Sequence, residues 1–159
     1  MQTLTVRDIA ERIRRPNEDI TAVIDRLRDW TDVGLLEVVK DSDQNPGKGH
    51  ARRYPEIAVV DAALLTAFVE AGLSVMRFGR MEGIRKLGRQ AAKQARERHG
   101  MAQWLIVWGR PPVSADQLEY GLELQETKVG QSPKLNKDAH WVHLINVSVQ
   151  LKSILAKGE

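Results

Sequence analysis

The chain has 159 residues, of which 42% are hydrophobic, so it is long enough for one domain or two small ones and can bury a core. It has no run of eighteen apolar residues and no signal-peptide pattern at its start. These features argue against a membrane-spanning or exported protein and predict a cytoplasmic location. It contains no cysteine, which excludes disulfides and thiolate metal sites.

The net charge of +3 is unevenly distributed along the chain. Residues 1–54 carry ten Lys or Arg and ten Asp or Glu, and residues 101–159 carry six of each sign. Residues 74–99 carry eight Lys or Arg against two Glu, a net charge of +6. The basic character therefore belongs to one central segment and not to the whole surface.

A first helix is predicted to follow Thr5, whose hydroxyl suits a helix N-cap, and Asp8 supplies part of a capping box. The apolar face of this helix comprises Val6, Ile9, Ala10 and Ile13. Arg14 and Arg15 follow its end. They either contact phosphate or complement the negative end of the helix dipole.

The central feature of the N-terminal half is a second helix that ends in a sharp turn. Apolar residues recur at steps of three and four and predict one buried face: Ile20, Val23, Ile24, Leu27 and Trp30. Pro16 and Asn17 mark its predicted start, where proline or a short polar side chain suits the first turn. Gly34 marks its end, because glycine adopts the left-handed conformation without strain.

An extended segment follows that turn. The stretch LLEVVK, residues 35–40, predicts a strand. Residues 41–50 contain two glycines and a proline, and they predict the tip of a wing. The basic stretch ARRY, residues 51–54, closes the hairpin. Two helices followed by a hairpin with a basic end predict a winged helix-turn-helix, with duplex DNA as its partner.

The predicted DNA contacts are the arginines that end the first helix and polar or basic residues of the second helix and wing: Arg14, Arg15, Thr21, Arg26, Arg28, Lys48, Arg52 and Arg53. Trp30 is instead predicted to pack against Tyr54. Asp25, Asp29 and Asp32 share one face of the second helix, and phosphate repels acid on a DNA-facing surface. Either this face turns away from DNA, or the module binds another protein.

The segments LTVRDIAERI, LRDWTDVGLL, ARRYPEIAVVDAALLTAF and AGLSV occur in an order that resembles the MerR family of bacterial transcription regulators, over roughly residues 4–80. Six residues fall on positions of the family pattern: Arg28, Trp30, Gly34, Arg52, Arg53 and Tyr54. The link between the first two helices and the wing are both longer than in the family. The resemblance implies a DNA-binding regulator that acts as a homodimer.

Two further helices are predicted in the middle of the chain. Residues 57–71 form an apolar core helix that Gly72 ends. Ser74 caps a long helix that runs towards Gly100, with a kink or interruption at its glycines. Its apolar stripe is predicted to be a dimer seam, as in the coiled coil of MerR relatives: Phe78, Met81, Ile84, Leu87 and Ala91. Alternatively, the helix packs on its own C-terminal module, and in either arrangement its basic face contacts phosphate or is simply solvated.

The last third predicts a small α+β module of three strands, at 102–109, 118–126 and 140–147, followed by a helix over 147–158. Its aromatic residues form either part of the core or a ligand pocket: Trp104, Trp108, Tyr120 and Trp141. His140 and His143 would point apart on a strand, which argues against a metal site. The sequence contains no catalytic motif, so neither an enzyme activity nor a cofactor is predicted.

The sequence therefore predicts an α+β protein with three parts. These are a winged helix-turn-helix in residues 1–73, a basic linker or dimerisation helix in residues 74–100, and an α+β module in residues 101–159. The predicted function is transcription regulation by a homodimer on duplex DNA, with a small-molecule or protein effector at the C-terminal module. The alternatives are a protein-binding adaptor or antagonist with the same fold, and an architectural DNA-binding protein of a mobile element.

Overall fold

The computed structural model describes residues 3–39, 51–78, 82–97, 101–109, 120–135, 137, 139 and 141–147. In chain order its elements are β1 (Thr3–Leu4), α1 (Val6–Ile13), α2 (Ile20–Asp32), β2 (Tyr54–Pro55), α3 (Ala58–Glu70), α4 (Val75–Phe78), α5 (Glu82–Glu97), β3 (Met101–Gly109), β4 (Tyr120–Lys128) and β5 (Trp141–Asn146). Within these ranges, no helix has both the length and the apolar character needed to cross a bilayer.

Two antiparallel sheets with helices around them confirm the predicted α+β class. β1 pairs with β2 in the N-terminal half, and the C-terminal sheet has the order β4-β3-β5. The three strands predicted for the last third are confirmed, with bounds shifted by one or two residues. In this sheet Leu105 of the central strand lies opposite Leu124 on one side and Ile145 on the other. The helix predicted over residues 147–158 lies outside the described residues beyond its first position.

α1 begins after Thr5, as predicted. The Asp8 carboxylate accepts from the Thr5 N–H at 2.7 Å, and the Thr5 hydroxyl accepts from the Asp8 N–H at 3.2 Å. The capping box is therefore complete. Because hydrogen bonds from the Thr5 backbone and hydroxyl favour the charged carboxylate, they lower the pKa of Asp8. Ile9, Ala10 and Ile13 are buried, and α1 packs against both α2 and α3.

The start of α2 differs from the prediction. Asn17 has a left-handed φ of 67°, so Pro16 and Asn17 belong to a turn and not to the helix. The N-cap is Asp19, whose carboxylate accepts from the backbone N–H of Thr21 at 3.0 Å. Both Pro16 and Asp19 are of a residue type that suits a helix start. Because Asn17 has a left-handed backbone conformation, the helix cannot begin at Pro16 and begins after Asp19 instead.

α2 ends as predicted at Gly34, whose φ is 76°. The N–H of Gly34 donates to the carbonyl of Thr31 at 3.0 Å, and the N–H of Leu35 donates to that of Trp30 at 2.8 Å. This pair of bonds is the Schellman motif, which satisfies carbonyls at a helix end. α3 ends in the same motif at Gly72, where φ is 71°.

The strand predicted for residues 35–40 does not form in the described part of that segment, which ends at residue 39. Leu35 and Leu36 are both buried, so the segment does not alternate between core and solvent as a half-buried strand does. A backbone hydrogen bond from the Val39 N–H to the Arg53 carbonyl, at 2.8 Å, joins it to residues 51–54. The predicted wing tip, residues 41–50, lies outside the described residues.

α3 is the predicted core helix, and it is enclosed on every side. All residues from Ala58 to Phe68 are buried, including Asp61, which is 2% exposed. The Asp61 carboxylate accepts from Nε and Nη2 of Arg89 in α5. These bonds raise the pKa of Arg89, against the opposing effect of burial. The ion pair offsets the large cost of a lone charge in the core.

Within the long helix predicted over residues 74–100, the described residues are helical over α4 and α5. The apolar stripe of α5 packs on α3 and on the C-terminal sheet. Ile84 and Ala91 are completely buried, and Leu87 packs against the same core. Ile84 and Ala91 are therefore covered by packing within the chain, as in the alternative prediction, and not by a second copy, whereas Leu87 is only partly buried. Two predicted seam residues have side chains outside the described set: Phe78 and Met81.

A substitution at Gly88 tests the packing of α5 on α3. A Cβ atom there would overlap Cδ1 of Leu64 and lie 3.2 Å from its Cγ, and Leu64 is buried in α3. Gly88→Ala should therefore lower the free energy of unfolding by about 1–3 kcal/mol. Gly83→Ala is the matched control, because its Cβ would meet only Leu122, at 3.9 Å. The control should gain up to about 1 kcal/mol from helix propensity. Chemical denaturation measures both, and equal stability of the two variants would contradict the packing of α5 on α3.

Candidate nucleic-acid interface

α2 presents a mostly acidic face to solvent. Its buried side consists of Val23, Leu27 and Trp30. Its exposed side carries one arginine and three aspartates, together with a threonine: Thr21, Asp25, Arg28, Asp29 and Asp32. Nη1 of Arg28 donates a hydrogen bond to the Asp25 carboxylate at 3.1 Å. The face as a whole is therefore negatively charged.

Residues 51–54, here called the arm, pack against the C-terminal end of α2. The Thr31 hydroxyl donates to the Leu27 carbonyl at 2.8 Å and lies 3.0 Å from the Tyr54 hydroxyl. Since the threonine proton is already used, the tyrosine hydroxyl is the donor in the second bond. Tyr54 is completely buried, and Trp30 is 7% exposed, in agreement with its predicted packing role. The arm is thus attached to the last turn of α2.

Arg52 of the arm is held against α2. Its guanidinium pairs with the Asp32 carboxylate at 2.6 Å, and its side chain is 16% exposed. The pair borders an open cleft of about 340 Å³ between the arm and the end of α2. Seven residues line this cleft: Thr31, Asp32, Gly34, Leu36, Glu37, Val38 and Arg52. The lining combines one guanidinium with two carboxylates.

Arg26, a predicted DNA contact, instead packs against residues at the start and end of α2. Its Nη1 donates to the Glu18 carboxylate at 2.8 Å, and its guanidinium lies 5.5 Å from the centre of the Trp30 ring. Its Nε and Nη2 atoms are buried, with no hydrogen-bond partner among the described residues. Burial alone would raise the pKa of Glu18, but hydrogen bonds from the Arg15 backbone and from Arg26 outweigh it and lower the pKa.

Two other predicted contacts, Arg15 and Arg28, form ion pairs at the surface. Arg15 donates through Nε and Nη2 to the Glu70 carboxylate, at 2.9 and 2.7 Å. Arg28 pairs with Asp25 as described above. Every side chain in these two pairs is at least 38% exposed, so solvent and salt screen both pairs. The pair between Arg28 and Asp25 has a single bond and contributes only about 0–1 kcal/mol, so Arg28 can exchange its carboxylate for a phosphate at small cost.

The remaining predicted contacts lie at the ends of segments. Arg14 is exposed and caps the end of α1, without an ion pair to any residue in the described ranges. Arg53 is exposed on the arm. Lys48 lies outside the described residues. The structure therefore places Arg52 and Arg53 beside the last turn of α2, whereas Arg14 and Arg15 follow α1.

One contact between the cleft and α5 was not predicted from the sequence. Arg85 of α5 lies 3.5 Å from the carboxylate of Glu37, which lines the cleft. Together with the pair between Arg89 and Asp61, this contact joins α5 to the segment after α2 and to α3. A signal for the second pair does exist in the sequence. Asp61 stands alone in an apolar run, and a buried carboxylate requires a cationic or hydrogen-bonding partner.

The register of the C-terminal sheet places the backbones of the four aromatic residues that were predicted to line a pocket. Trp104 and Trp108 are four residues apart on β3 and therefore lie on the same face. Tyr120 and Trp141 both pair in register with Gly109, which belongs to the opposite face. The side chains of Tyr120 and Trp141 lie outside the described set, so a pocket formed by the four residues stays a prediction.

The described ranges contain no group of three or more histidine or acidic side chains arranged to hold a metal ion. His143 lies on β5, in register with Val107, and His140 is outside those ranges.

No model of a known protein family matches the chain, and no curated protein sequence matches it either. What the interface does is therefore inferred from its own residues.

Glu18→Gln tests the internal role of Arg26. It should lower the free energy of unfolding by about 1–2 kcal/mol near neutral pH, because the guanidinium loses its charged partner. Since the pKa of Glu18 is below its ordinary value of 4.5, this contribution is complete above 4.5 and is lost as the pH falls through the lowered pKa. Wild type and variant should therefore converge in acid.

The matched control is Glu11→Gln, which removes an exposed pair with Arg7 and should change stability by less than about 0.5 kcal/mol. Chemical denaturation at several pH values measures both variants. A Glu18→Gln effect that stays constant from neutral to acid pH would show that the charge of Glu18 is not what stabilises this contact.

Proposed function

We propose that residues 3–73 bind duplex DNA and that the protein is a transcription regulator of MerR-like type. The observation that carries this proposal is the attachment of the basic arm to the last turn of α2. Two interactions make the attachment: Tyr54 with Thr31, and Arg52 with Asp32. The arm therefore lies beside the exposed face of α2. A helix flanked by a basic segment is suited to enter the major groove while the segment contacts phosphates.

In this proposal α1 and α2 are the two helices of a helix-turn-helix, and α2 is the recognition helix. The guanidinium of Arg28 turns from Asp25 to a phosphate or to the N7 and O6 acceptors of a guanine. Arg15 exchanges Glu70 for a phosphate in the same way. Arg26 keeps its position between Glu18 and the Trp30 ring and supports the helix from inside.

The acidic residues restrict how α2 meets the DNA. A carboxylate accepts a hydrogen bond from the amino group of cytosine but is repelled by phosphate. Asp25, Asp29 and Asp32 must therefore face base edges or lie away from the backbone. The same acidic face favours a second candidate, a protein-binding adaptor whose partner presents basic residues to α2.

Two extensions belong to the proposal. A homodimer would match an inverted repeat in DNA, and its two copies would meet through surfaces other than the buried stripe of α5. An effector would bind at the C-terminal sheet and act on the DNA-binding part through α5, which packs against both.

Arg28→Ala should weaken binding to a selected genomic duplex by about 1–3 kcal/mol if the arginine reads a base. Its melting temperature should change little, because the pair with Asp25 is exposed. Arg7→Ala is the control, since Arg7 makes a similarly exposed pair with Glu11 on α1. Fluorescence anisotropy and thermal melting measure the two effects. If Arg28→Ala binds DNA as tightly as wild type, α2 is not the recognition helix.

Asp29→Asn separates the two candidate functions by the sign of its effect. Asp29 is exposed and makes no side-chain hydrogen bond to another described residue. If α2 enters the groove with Asp29 away from the base edges, loss of this charge reduces its long-range repulsion from the phosphates and should strengthen DNA binding by about two- to fivefold. If the acidic face binds a basic protein, the same change should weaken that complex.

Glu123→Gln, which removes an equal and exposed charge on β4, controls for the change in net charge. Anisotropy titrations at constant ionic strength compare the two variants. The second candidate replaces the first if Asp29→Asn binds DNA no better than Glu123→Gln and also loses a basic protein that the wild type retains.

A further inference from the structure

One face of α5 is basic and exposed, and the proposed recognition by α2 does not use it. Lys86, Gln90 and Lys93 recur at steps of four and three residues and are all exposed, so they form one stripe, here called the α5 basic stripe. The buried residues Ile84, Gly88 and Ala91 have the same spacing, offset by two residues, and lie on the opposite side of the helix. The packing of α5 therefore directs both lysines to solvent.

The positive charges of α5 outnumber its negative charges. The helix contains five Lys or Arg and two Glu. Among the described residues Lys86 has no acidic partner, and Lys93 has only Glu97 at 3.9 Å, with both side chains more than half exposed. The α5 basic stripe therefore presents two ammonium groups to solvent, and an external anion can reach both without breaking a buried contact.

The α5 basic stripe belongs to a helix that is fixed next to the candidate interface. Arg85, the residue before Lys86, contacts Glu37 at the cleft that also includes Arg52. Arg89 anchors the next turn to α3. The two lysines are seven residues apart, which is about 10 Å along the helix axis. They therefore lie at a fixed spacing on a helix that is anchored next to the cleft.

We infer that the α5 basic stripe binds the phosphate backbone of duplex DNA outside the segment that α2 contacts. This inference rests on the proposed function and adds a second region of the protein to the surface that contacts DNA. A phosphate backbone fits because it presents regularly spaced negative charges along a line, and lysine ammonium groups neutralise them without reading sequence. The contacts add affinity for any duplex and leave the choice of sequence to α2.

The test uses the full chain with Lys86 and Lys93 both changed to Gln, and a duplex of mixed sequence. Each lost phosphate contact lowers the slope of log Kd against log salt by about 0.9, so the double variant should lose about 1.8. Wild type should then lose about tenfold more affinity than the variant between about 50 and about 200 mM salt. The matched control changes Lys128 and Lys134 to Gln, because both are exposed and carry the same charge at the C-terminal sheet.

The outcomes separate this inference from the proposed function. A wild-type chain that binds no duplex at any salt concentration would overturn the proposed function, and the inference with it. A wild type that binds, with equal slopes for the two double variants, would overturn the inference alone. The inference is also overturned if the Lys86 and Lys93 double variant loses a salt-sensitive self-association that the wild type shows, while its DNA binding is unchanged. That result would assign the stripe to the acidic α2 face of a second copy.

Discussion

The burial of α3 is the constraint on which the rest of the structure depends. Eleven consecutive residues of this helix are buried, so other elements must cover it, and both α1 and α5 pack against it. One of the eleven is Asp61, and removal of Arg89 would leave its charge unpaired at a cost of about 3–5 kcal/mol. The pair therefore fixes α5 against α3. Because α5 also packs on the C-terminal sheet, the same interaction positions that sheet relative to the N-terminal helices.

Local interactions attach the candidate interface to this core. The turn at Gly34 directs Leu35 and Leu36 into the core, and the buried Tyr54 attaches the arm to the end of α2. β1 pairs with β2, so the start of the chain meets the end of the arm. These contacts divide the arginines into two kinds. Arg26 and Arg52 are held in place by neighbouring side chains, and only the exposed arginines, such as Arg28, are placed to exchange a carboxylate for a phosphate.

The parts of the fold that the sequence predicts are those with local signals. The Thr5 cap, the glycine ends of two helices, the core helix and the three C-terminal strands all depend on neighbouring residues, and all are found. The parts that it does not predict depend on distant residues. An apolar stripe on α5 indicates a buried face but not what buries it. Arg26 and Arg28 look equivalent in the sequence, and only the approach of Glu18 distinguishes them.

The central claim is that α2 and the arm together form a DNA-binding surface, despite the acidic residues on α2. Its most direct test is a titration of the isotopically labelled full chain with duplex DNA, followed by NMR of the backbone amides. The largest shifts should occur at the exposed positions of α2 and in the arm, and they should diminish as salt is added, because phosphate contacts release counterions. Shifts confined to the C-terminal sheet, or no shifts in α2 at low salt, would contradict the claim.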